Sequence, residues 1–414
     1  MSENYNTIKK CRICFSSDLK IILDLGSQPP ANSLNIIGEP PVDTVPLVLM
    51  FCMNCSSLQL KDSIKPQALF SDYVWVTGTS EVARKYSQDF AHNVLSIAKI
   101  QNPRIIEIAS NDGTFLKVFK DKGCDILGID PANNVAQLAI ADGIPTVIEF
   151  FSSQVATKLK SELDPERTNI IIARNVIPHV PDIHSVIEGI KTIIGEDGVG
   201  VIEFHNSGLL MKELQYDYIY HEHVFYFTLN SMKQTLEIYD LEILDVFDSP
   251  ISGGSFVVLF KNKSKNINLS EGVINILSEE RSSGVNDFNA WKKFAEGCKT
   301  HRLKTRALIK NLNGKAVGYG ASARSSTILN YCGLNCNDIR YIIDNNPLKR
   351  NKLTAGSDIE IMSFSDGIAN INPDDTIIIL AWNFKEEITE QLRFNGISND
   401  ILTLLPYKTK TYEI

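Results

Sequence analysis

The sequence predicts an α/β protein in which a parallel, doubly wound sheet follows a small four-cysteine module and precedes a second, smaller α/β unit. Short apolar strand patterns alternate with helical patterns from residue 104 onward, which favours a parallel sheet. Two CxxC pairs precede that region, and a second strand–turn–helix pattern opens at residue 315. A chain of 414 residues is long for one hydrophobic core, so two or three domains are expected.

The composition is that of an ordinary globular protein, with 43% hydrophobic and 22% charged residues. The net charge is −8 and lysine and arginine form no long block, so a nucleic-acid partner is not expected. MSENYNTIKK at the start lacks the apolar run of a secretory signal, and no apolar stretch reaches the length of a membrane span. We therefore expect a cytoplasmic protein without a membrane partner.

The first predicted domain, residues 1–65, is a zinc-binding module. Two residues between paired thiolates let both sulfurs face one cation, and two such pairs complete the tetrahedral shell of a structural zinc site. The 37 residues between the pairs exceed the usual spacing of about 15–20, so a folded excursion rich in turn formers, LGSQPPANSLN at 25–35, is expected between them. The predicted ligands are Cys11, Cys14, Cys52 and Cys55.

The second predicted domain, residues 66–262, carries the parallel sheet. It begins with an aromatic loop, FSDYVWVTGTS at 70–80, and an amphipathic helix. An apolar stretch at 242–260 with a turn at Gly253-Gly254 predicts an antiparallel pair at the end of the sheet. The five predicted parallel strands lie at 104–110, 125–130, 146–151, 169–176 and 198–205.

The segment EIASNDG at 107–113 lies where the first predicted strand meets the first helix, the ligand-binding edge of an open α/β sheet. Its small residues and Gly113 allow a ligand to approach the backbone, and the helix N-terminus offers free amides. Asp130 ends the second strand, where an acid accepts hydrogen bonds from ribose hydroxyls. The segment therefore predicts a site for a nucleoside-containing cofactor.

Two cofactors suit this edge, a dinucleotide and S-adenosylmethionine (SAM). Ala109 and Asn111 stand where a dinucleotide fingerprint has its first two glycines. Glu107 suits a cofactor that carries an ammonium and a sulfonium rather than phosphates. The pattern favours SAM, and a packed turn without a ligand is the remaining alternative.

Tyr220-His221-Glu222-His223 is the strongest candidate for acid–base chemistry. In an extended segment Tyr220 and Glu222 would share one side and the two histidines the other, so a turn is needed to bring them together. Imidazole suits proton abstraction near neutral pH, a phenol can donate to an oxyanion, and a carboxylate can orient an imidazole. Together with a methyl sulfonium, this equipment predicts carbon methylation next to a ketone.

These motifs resemble the nucleotide-sugar C-3 methyltransferases of deoxysugar biosynthesis, over nearly the whole chain. The family has a zinc module, a SAM-dependent methyltransferase domain and a C-terminal Rossmann-like domain, here residues 263–414 with a helical connector at their start. The resemblance implies SAM and Zn²⁺ as cofactors and methyl transfer to C-3 of a 4-keto-6-deoxy nucleotide sugar, for a surface polysaccharide or natural product. The matching motifs are the two CxxC pairs, EIASNDGTF (107–115), GIDPA (128–132), ARNVIPHVPD (173–182), YHEHVFYF (220–227) and GYGASARSSTILNYCG (318–333).

The resemblance also implies roles for single residues. His223 would take the C-3 proton, Tyr220 and Glu222 would hold the 4-keto oxygen and the sugar, and His179 would line the same pocket. The aromatic loop would close over the site through Tyr73 and Trp75. The residues around the methyl donor would be Glu107, Asn111, Gly113, Asp130, Asn175 and Tyr73.

Departures from the family keep alternatives open. Ser252 stands where the family commonly has histidine, and EFHNSG at 203–208 is more polar than usual. GYGASA at 318–323, with Asp344 ending the next strand, resembles a dinucleotide loop, which keeps an NAD-dependent oxidoreductase as an alternative. In the family this domain helps to hold the sugar nucleotide, so diphosphate binding by the loop with Ser322 and Arg324, or a purely scaffolding role, also remains. An O-methyltransferase and a non-catalytic sugar-nucleotide binding protein are further alternatives.

Overall fold

The computed structural model of the protein describes residues 5–73, 75–165, 167–264 and 269–406, so the last eight residues of the predicted C-terminal domain lie outside it. The strands of this part of the chain are β1 (Tyr5–Thr7), β2 (Leu19–Gln28), β3 (Leu34–Ile36), β4 (Val45–Cys52), β5 (Leu58–Leu60), β6 (Asp62–Ile64), β7 (Arg104–Ile108), β8 (Asp125–Ile129), β9 (Thr146–Val147), β10 (Asn169–Arg174), β11 (Val199–His205), β12 (Phe225–Tyr226), β13 (Leu241–Ser249), β14 (Ser255–Asn262), β15 (Ala316–Tyr319), β16 (Ile339–Ile343), β17 (Lys352–Thr354), β18 (Ile361–Met362), β19 (Thr376–Ile379) and β20 (Ile401–Thr403). The α-helices are α1 (Pro66–Phe70), α2 (Glu81–Ala98), α3 (Thr114–Asp121), α4 (Asn133–Ala141), α5 (Ser153–Glu162), α6 (Ile183–Ile194), α7 (Ser207–Lys212), α8 (Leu229–Glu237), α9 (Glu271–Ser283), α10 (Phe288–Lys310), α11 (Ala323–Cys332), α12 (Phe364–Ala369) and α13 (Lys385–Phe394).

The central sheet has seven strands in the order β13-β14-β11-β10-β7-β8-β9. Its five strands from β11 to β9 are parallel, and β14 and β13 form the antiparallel pair that the sequence predicts. Successive residues of β7 enter different cores: Ile105 packs with α2 and α3, whereas Ile106 packs with α5 and α6. Burial on both faces explains why these strands are continuous apolar runs in the sequence. The predicted α/β fold is confirmed.

The strand order reverses at β7, which pairs with β8 on one side and β10 on the other. In open α/β sheets, ligands bind at the carboxyl ends of the strands at such a switch point. Glu107 lies near the carboxyl end of β7, and the loops that follow β7, β8 and β10 carry Asn111, Asp130 and Asn175. The fold therefore brings three separate predicted cofactor segments to one edge.

The N-terminal sheet has four strands in the order β12-β5-β4-β2. Strand β12 comes from far along the chain, since Phe225 pairs with Gln59 and Tyr226 with Leu58. This pairing crosses the boundary predicted at residue 65. The segment just after the acid–base cluster is consequently part of the sheet of the cysteine module.

The C-terminal sheet is parallel, in the order β18-β16-β15-β19-β20, which confirms the second, smaller α/β unit. Helices α9 and α10 form the connector before it. One apolar core joins this unit to the N-terminal sheet. Its buried members include Leu49, Tyr216, Trp291 and Leu329. Strand β3, from between the cysteine pairs, also pairs with β17.

Within the part of the chain that the structure describes, no helix is both long and apolar enough to cross a lipid bilayer.

The loop after β7 has an unusual backbone. Ala109 and Asn111 adopt left-handed conformations with φ of 51° and 54°, and Gly113 follows with φ of 75°. A non-glycine residue in this region is strained and is held there by its surroundings. The hydrogen bond from the Gly113 N–H to the Ser110 carbonyl, at 3.0 Å, closes this turn before α3.

Gly113→Ala should destabilise the protein more than Gly123→Ala. Both glycines are left-handed, with φ of 75° and 84°, so each substitution costs about 1–2 kcal/mol for the backbone alone. A Cβ at Gly113 would also lie 2.9 Å from Ile144 Cγ1, whereas nothing lies within 4 Å at Gly123, so Gly113→Ala should cost about 1–3 kcal/mol more. Chemical denaturation of both variants measures the difference. Equal stabilities would contradict the packing argument.

Candidate active site

A cleft of about 1570 Å³ opens at the carboxyl edge of the central sheet. It is larger than the roughly 300–1,000 Å³ of an ordinary small-molecule pocket, so it has room for two ligands side by side. Residues from the β7, β8 and β10 loops line it, as do the aromatic loop and the C-terminal unit. The predicted site residues in this lining are Tyr73, Glu107, Asn111, Asp130, Asn175, His179, Tyr220 and His223, with Trp75 beside them.

Asp130 is fixed at the end of β8. Its carboxylate accepts hydrogen bonds from the backbone N–H groups of Asn111 and Ala132, each at 2.8 Å. Burial raises the pKa of Asp130, and these two bonds act in the opposite direction. Each oxygen keeps a further lone pair, so the carboxylate can still accept from a diol.

Arg174, the last residue of β10, lies between two buried carboxylates. Its Nε donates to Glu203 Oε2 at 2.9 Å, and its NH1 lies 3.5 Å from Glu107 Oε1. Glu107 Oε2 is buried without a partner among the described residues, and burial raises the pKa of Glu107 to about 8. One cation between two acids leaves excess negative charge below the cleft whenever both acids are ionised.

Arg174 and Glu203 were not singled out from the sequence. The available signal was a charged residue inside or ending an apolar strand, NIIIAR for Arg174 and GVGVIEFH for Glu203. Such residues are rarely buried unless they are paired. Their pairing with each other could not be deduced from spacing.

The side chain of Asn111 holds the aromatic loop. Its Oδ1 accepts from the Thr77 N–H at 2.8 Å, and its Nδ2 donates to the Trp75 carbonyl at 3.0 Å. Tyr73 is bound through its backbone to Asn134, at 3.1 and 2.8 Å. The loop is therefore tied to the cofactor edge at both of its aromatic positions.

Two predicted cofactor residues differ in their surroundings. Gly113 does not line the cleft, because it faces Ile144 and serves as the left-handed residue before α3. This corrects the expectation of a ligand contact there. Asn175 lines the cleft with φ of 52°, and its Oδ1 is buried without a partner among the described residues.

Residues 220–223 form a tight turn, closed by a hydrogen bond from the His223 N–H to the Tyr220 carbonyl at 3.0 Å. The strand-like alternation is therefore absent, and Tyr220 and His223 meet, with the phenol oxygen 2.9 Å from His223 Nε2. His221 points elsewhere and contacts the Val45 carbonyl at 3.1 Å.

The partners of His223 assign its tautomer. Nδ1 lies 2.9 Å from the Tyr218 carbonyl, which can only accept, so Nδ1 carries the proton. Nε2 then holds the lone pair and accepts from the Tyr220 hydroxyl. Desolvation by burial lowers the pKa of His223 well below its usual value, with the nearby His179 acting in the same direction. The ring is neutral at neutral pH, with a lone pair directed to the Tyr220 side.

His179 and Tyr218 enclose the His223 ring. The centroids of the His179 and His223 rings are 4.8 Å apart, and the Tyr218 ring is 4.2 Å from that of His223. Burial lowers the pKa of His179 to about 4, and its Nδ1 has no partner among the described residues. Tyr218, which the sequence analysis did not select, stands in the aromatic run YDYIYHEH.

Glu222 does not line the cleft. It is 4% exposed, and its Oε1 accepts from Asn32 Nδ2 at 2.5 Å. Desolvation raises the pKa of Glu222 to about 7, which the Asn32 hydrogen bond partly offsets. The structure therefore brings Tyr220 and His223 together and sets Glu222 behind them.

Arg324 joins the C-terminal unit to this site. It donates to both oxygens of buried Asp217, at 2.8 and 3.1 Å, and Trp382 Nε1 donates to the same carboxylate at 2.8 Å. Ser252, at the departure from the family pattern, also contacts this arginine through its carbonyl at 3.4 Å and lines the cleft. Arg324 is thus engaged with protein groups at the cleft wall.

The glycine-rich loop at 318–323 does not line the cleft. A Cβ at Gly320 would lie 2.4 Å from that of Ala381, so the loop is packed against protein. Asp344 accepts from the Ala321 N–H at 2.8 Å and from Lys349 at 3.1 Å, and Ser322 caps its own helix. These contacts favour the scaffolding role over dinucleotide or diphosphate binding.

The four cysteines form one cluster outside the cleft lining and next to β5, where Gln59 Nε2 donates to Cys11 Sγ at 3.0 Å. All four sulfurs lie within 4.8 Å of one another, with Cys11 and Cys55 separated by 3.7 Å and Cys14 and Cys52 by 3.5 Å. Four thiolates at 2.3 Å from a common tetrahedral centre would be about 3.8 Å apart, so the donor set fits zinc.

The residues of the cleft also fit SAM. The fixed carboxylate of Asp130 suits a ribose diol, and the unpartnered, buried oxygens of Glu107 and Asn175 at the same edge suit the cationic amino-acid part. The fold and this site together define a SAM-dependent methyltransferase with a zinc module.

Comparison with known proteins agrees with this class. Residues 11–70 match the model of a zinc binding domain, residues 82–246 a methyltransferase domain, and residues 250–405 the C-methyltransferase C-terminal domain. The C-methyltransferase NovU of Streptomyces niveus is 29% identical over 398 residues, which are 94% of this chain and 93% of that protein. These matches and the site make the chain a SAM-dependent C-methyltransferase, with SAM and Zn²⁺ as its cofactors.

Further similarities cover less than half of the chain. The ubiquinone biosynthesis O-methyltransferase of Rhodopseudomonas palustris strain TIE-1 is 28% identical over 116 residues, 27% of this chain and 44% of that enzyme. The solved structure of magnesium protoporphyrin IX methyltransferase from Synechocystis PCC 6803 with bound SAM covers 44% of this chain and 80% of its own, at 8% identity and a TM-score of 0.34. Neither bears on the substrate.

Cys52→Ser should release the metal and lower the melting temperature by about 5–10 °C, because a structural zinc site contributes several kcal/mol to folding. Zinc content by atomic emission and melting by calorimetry check this. Cys336→Ser, at an exposed cysteine outside the cluster, is the matched control. A wild type that is isolated without zinc, or a Cys52→Ser variant that keeps the zinc content and melting temperature of the wild type, would contradict the assignment.

Proposed function

We propose that the protein transfers the methyl group of SAM to C-3 of a 4-keto-6-deoxy nucleotide sugar, through an enolate formed when a histidine removes the C-3 proton. The observation that carries this proposal is the pair of half-buried Tyr220 and buried His223, whose phenol oxygen and Nε2 are 2.9 Å apart in the cleft that also contains the cofactor edge. The size of the cleft, about 1570 Å³, supports simultaneous binding of donor and sugar.

His223 is proposed as the base. Its Nε2 lone pair is free of a proton, because Nδ1 donates to the Tyr218 carbonyl. That same bond would stabilise the imidazolium that forms when Nε2 takes the C-3 proton. The electron pair of the C–H bond then enters the ketone, which gives an enolate oxygen at C-4 and a nucleophilic C-3.

Tyr220 is proposed to bind the C-4 oxygen. Burial raises the pKa of its phenol well above its usual value, so the group is a hydrogen-bond donor and not a base at neutral pH. Before the sugar binds, its proton is directed to His223 Nε2. Donation to the enolate oxygen instead would free Nε2 to act on C-3, which couples substrate binding to release of the base.

Glu222 and His179 are proposed to surround the sugar. Glu222 lies behind the residues that line the cleft, next to the lining phenols of Tyr73 and Tyr220, and its Oε2 has no hydrogen bond among the described residues. In the proposal, a sugar hydroxyl reaches this oxygen between the two phenols. His179 has an unpartnered Nδ1 next to the His223 ring. Because burial holds the pKa of His179 near 4, it offers a neutral ring that does not compete with His223 for charge.

Asp130, Glu107 and Asn175 are proposed to hold SAM, whose sulfonium supplies an electrophilic methyl group when bound. Asp130 would bind the ribose hydroxyls. Glu107, backed by Arg174 and Glu203, would provide the negative charge that complements the cationic end. Asn111 would act through the aromatic loop, by holding Trp75 and Thr77 over the cofactor edge.

The alternatives have less support. An oxidoreductase acting through residues 318–323 would need an open phosphate site, and that loop is packed against Ala381. An O-methyltransferase needs a base next to a hydroxyl but has no use for a donor at a ketone oxygen. The paired phenol and imidazole therefore favour carbon as the acceptor.

His223→Ala should abolish exchange of the C-3 hydrogen. In D₂O with S-adenosylhomocysteine, the wild type should replace H-3 of a 4-keto-6-deoxy sugar nucleotide by deuterium, observed by NMR over a panel of nucleotide bases. The variant should lose about 10²–10⁴-fold in this rate while its S-adenosylhomocysteine affinity stays near that of the wild type. His92→Ala, at an exposed histidine of α2, is the control. Wild-type exchange in His223→Ala would refute the role of the base.

Glu107 should make the preference for SAM over S-adenosylhomocysteine depend on pH. Its pKa is raised to about 8 by burial, so the site gains negative charge as the pH rises through that value. SAM carries one positive charge more than its product, and both share the same ammonium group, so the ratio of their dissociation constants should move toward SAM with rising pH. Calorimetric titrations of wild type, Glu107→Gln and the exposed-site control Glu81→Gln measure it. A flat ratio in the wild type would contradict the charge argument.

A further inference from the structure

The excursion between the two cysteine pairs reaches the turn that carries His223. Asn32 Nδ2 donates to Glu222 Oε1 at 2.5 Å, although the two residues are 190 positions apart. Asn32 is exposed, Glu222 is 4% exposed, and neither residue lines the cleft. No sequence motif connects these two residues, and the proposed reaction so far gives Asn32 no part.

The backbone around Asn32 is held in place on both sides. Pro29 and Pro30 restrict the chain before it, and the Ser33 N–H donates to the Pro30 carbonyl at 3.0 Å to close a turn. After the turn, β3 pairs with β17, and Asn35 Nδ2 donates to Asp358 at 3.0 Å. The amide of Asn32 is consequently presented to Glu222 by a fixed loop.

The contact gives the carboxylate an asymmetric environment. Oε1 is bound by the Asn32 amide, while Oε2 has no hydrogen bond among the described residues. Because the group is planar and the side chain is buried, holding one oxygen also limits the positions that the second oxygen can take. That geometry leaves one oriented acceptor for a ligand hydroxyl.

We propose that Asn32 is a positioning residue for the reaction, which orients the Glu222 carboxylate so that its second oxygen binds the sugar. The proposal rests on the proposed role of Glu222 toward the sugar. In this proposal the zinc module contributes to the substrate site through the side-chain amide of Asn32, and the metal does not contact the substrate.

The pH dependence follows from the groups that face Glu222. They are Tyr73 of the aromatic loop, Tyr220 of its own turn and His179 after β10. Burial raises the pKa of both phenols and lowers that of His179 to about 4, so all three are neutral near pH 7. Glu222, with a pKa of about 7, is the member of this set that titrates there, and loss of the amide donor raises its pKa further.

The kinetic test compares Asn32→Ala and the isosteric Asn32→Asp with Glu39→Ala. Glu39 is an exposed residue of the same excursion, and its side chain has no hydrogen bond to Glu222. At pH 7 both Asn32 variants should raise KM for the sugar nucleotide by about tenfold or more, and the acidic limb of the pH profile should move to higher pH. SAM affinity should stay unchanged, and Glu39→Ala should keep the wild-type profile. A wild-type KM and pH profile in Asn32→Ala, or the same shift in Glu39→Ala, would overturn the proposal.

A second measurement needs no substrate and separates this proposal from the proposed function. Burial raises the pKa of Glu222 from 4.5 to about 7, so its ionisation destabilises the folded chain progressively between these two values. The difference in melting temperature between wild type and Glu222→Gln should therefore change over this range and level off above it. In the Asn32→Ala background the change should continue to higher pH. If the two difference curves coincide, the Asn32 contact is absent, whatever the substrate is. If the curves differ but no 4-keto sugar is methylated at carbon, the contact is present and only the proposed function fails.

Discussion

The structure depends on the burial of the segment from Tyr216 to Phe227, in which every residue except the half-buried Tyr220 is buried, and on the hydrogen bonds that satisfy its backbone. A buried backbone must satisfy its polar groups, and here the partners come from every part of the chain. Val224 is bound on both sides, to Leu60 of the N-terminal sheet at 2.8 Å and to Pro178 of the central domain at 2.7 Å. Thr327 of the C-terminal unit donates to the Ile219 carbonyl at 2.9 Å. The turn with His223 is thus held where the three units meet.

Burial also decides the charges of this segment. Desolvation disfavours charged forms, so it lowers the pKa of the histidines and raises that of the phenols and carboxylic acids. His205 shows the effect most clearly, with a pKa lowered to about 3, and its ring packs against Tyr218 at 3.9 Å between centroids. Apart from the Arg324–Asp217 ion pair and Glu222, the proposed substrate end of the cleft therefore presents neutral donors and acceptors, while the carboxylates of Glu107, Asp130 and Glu203 lie at the proposed cofactor end. This division suits a cationic methyl donor and a nucleophile that forms only after the base has removed a proton.

The sequence predicted what local patterns encode. Apolar runs identified the parallel strands, although TVIEFF contributes only Thr146–Val147 as strand, and the spacing of the cysteines identified their cluster. Residues 25–28, expected among turn formers, extend β2 because their partners lie in β4. The contact of Asn32 with Glu222 and the pairing of β12 with β5 join positions more than 160 residues apart, and periodicity carries no information about such partners. The tight turn at 220–223 was foreseen only as a requirement of the chemistry.

These long-range contacts explain how a metal whose ligands lie outside the cleft can affect the turn that carries His223. The cysteine cluster fixes the ends of β2 and β4, and β4 holds β5, which pairs with β12 immediately after His223. His221, within the turn itself, contacts the Val45 carbonyl at the start of β4. A module that only stabilised its own fold would not need these contacts. The cluster therefore supports the turn by keeping its sheet rigid. The side chains proposed for the chemistry are not ligands of the metal.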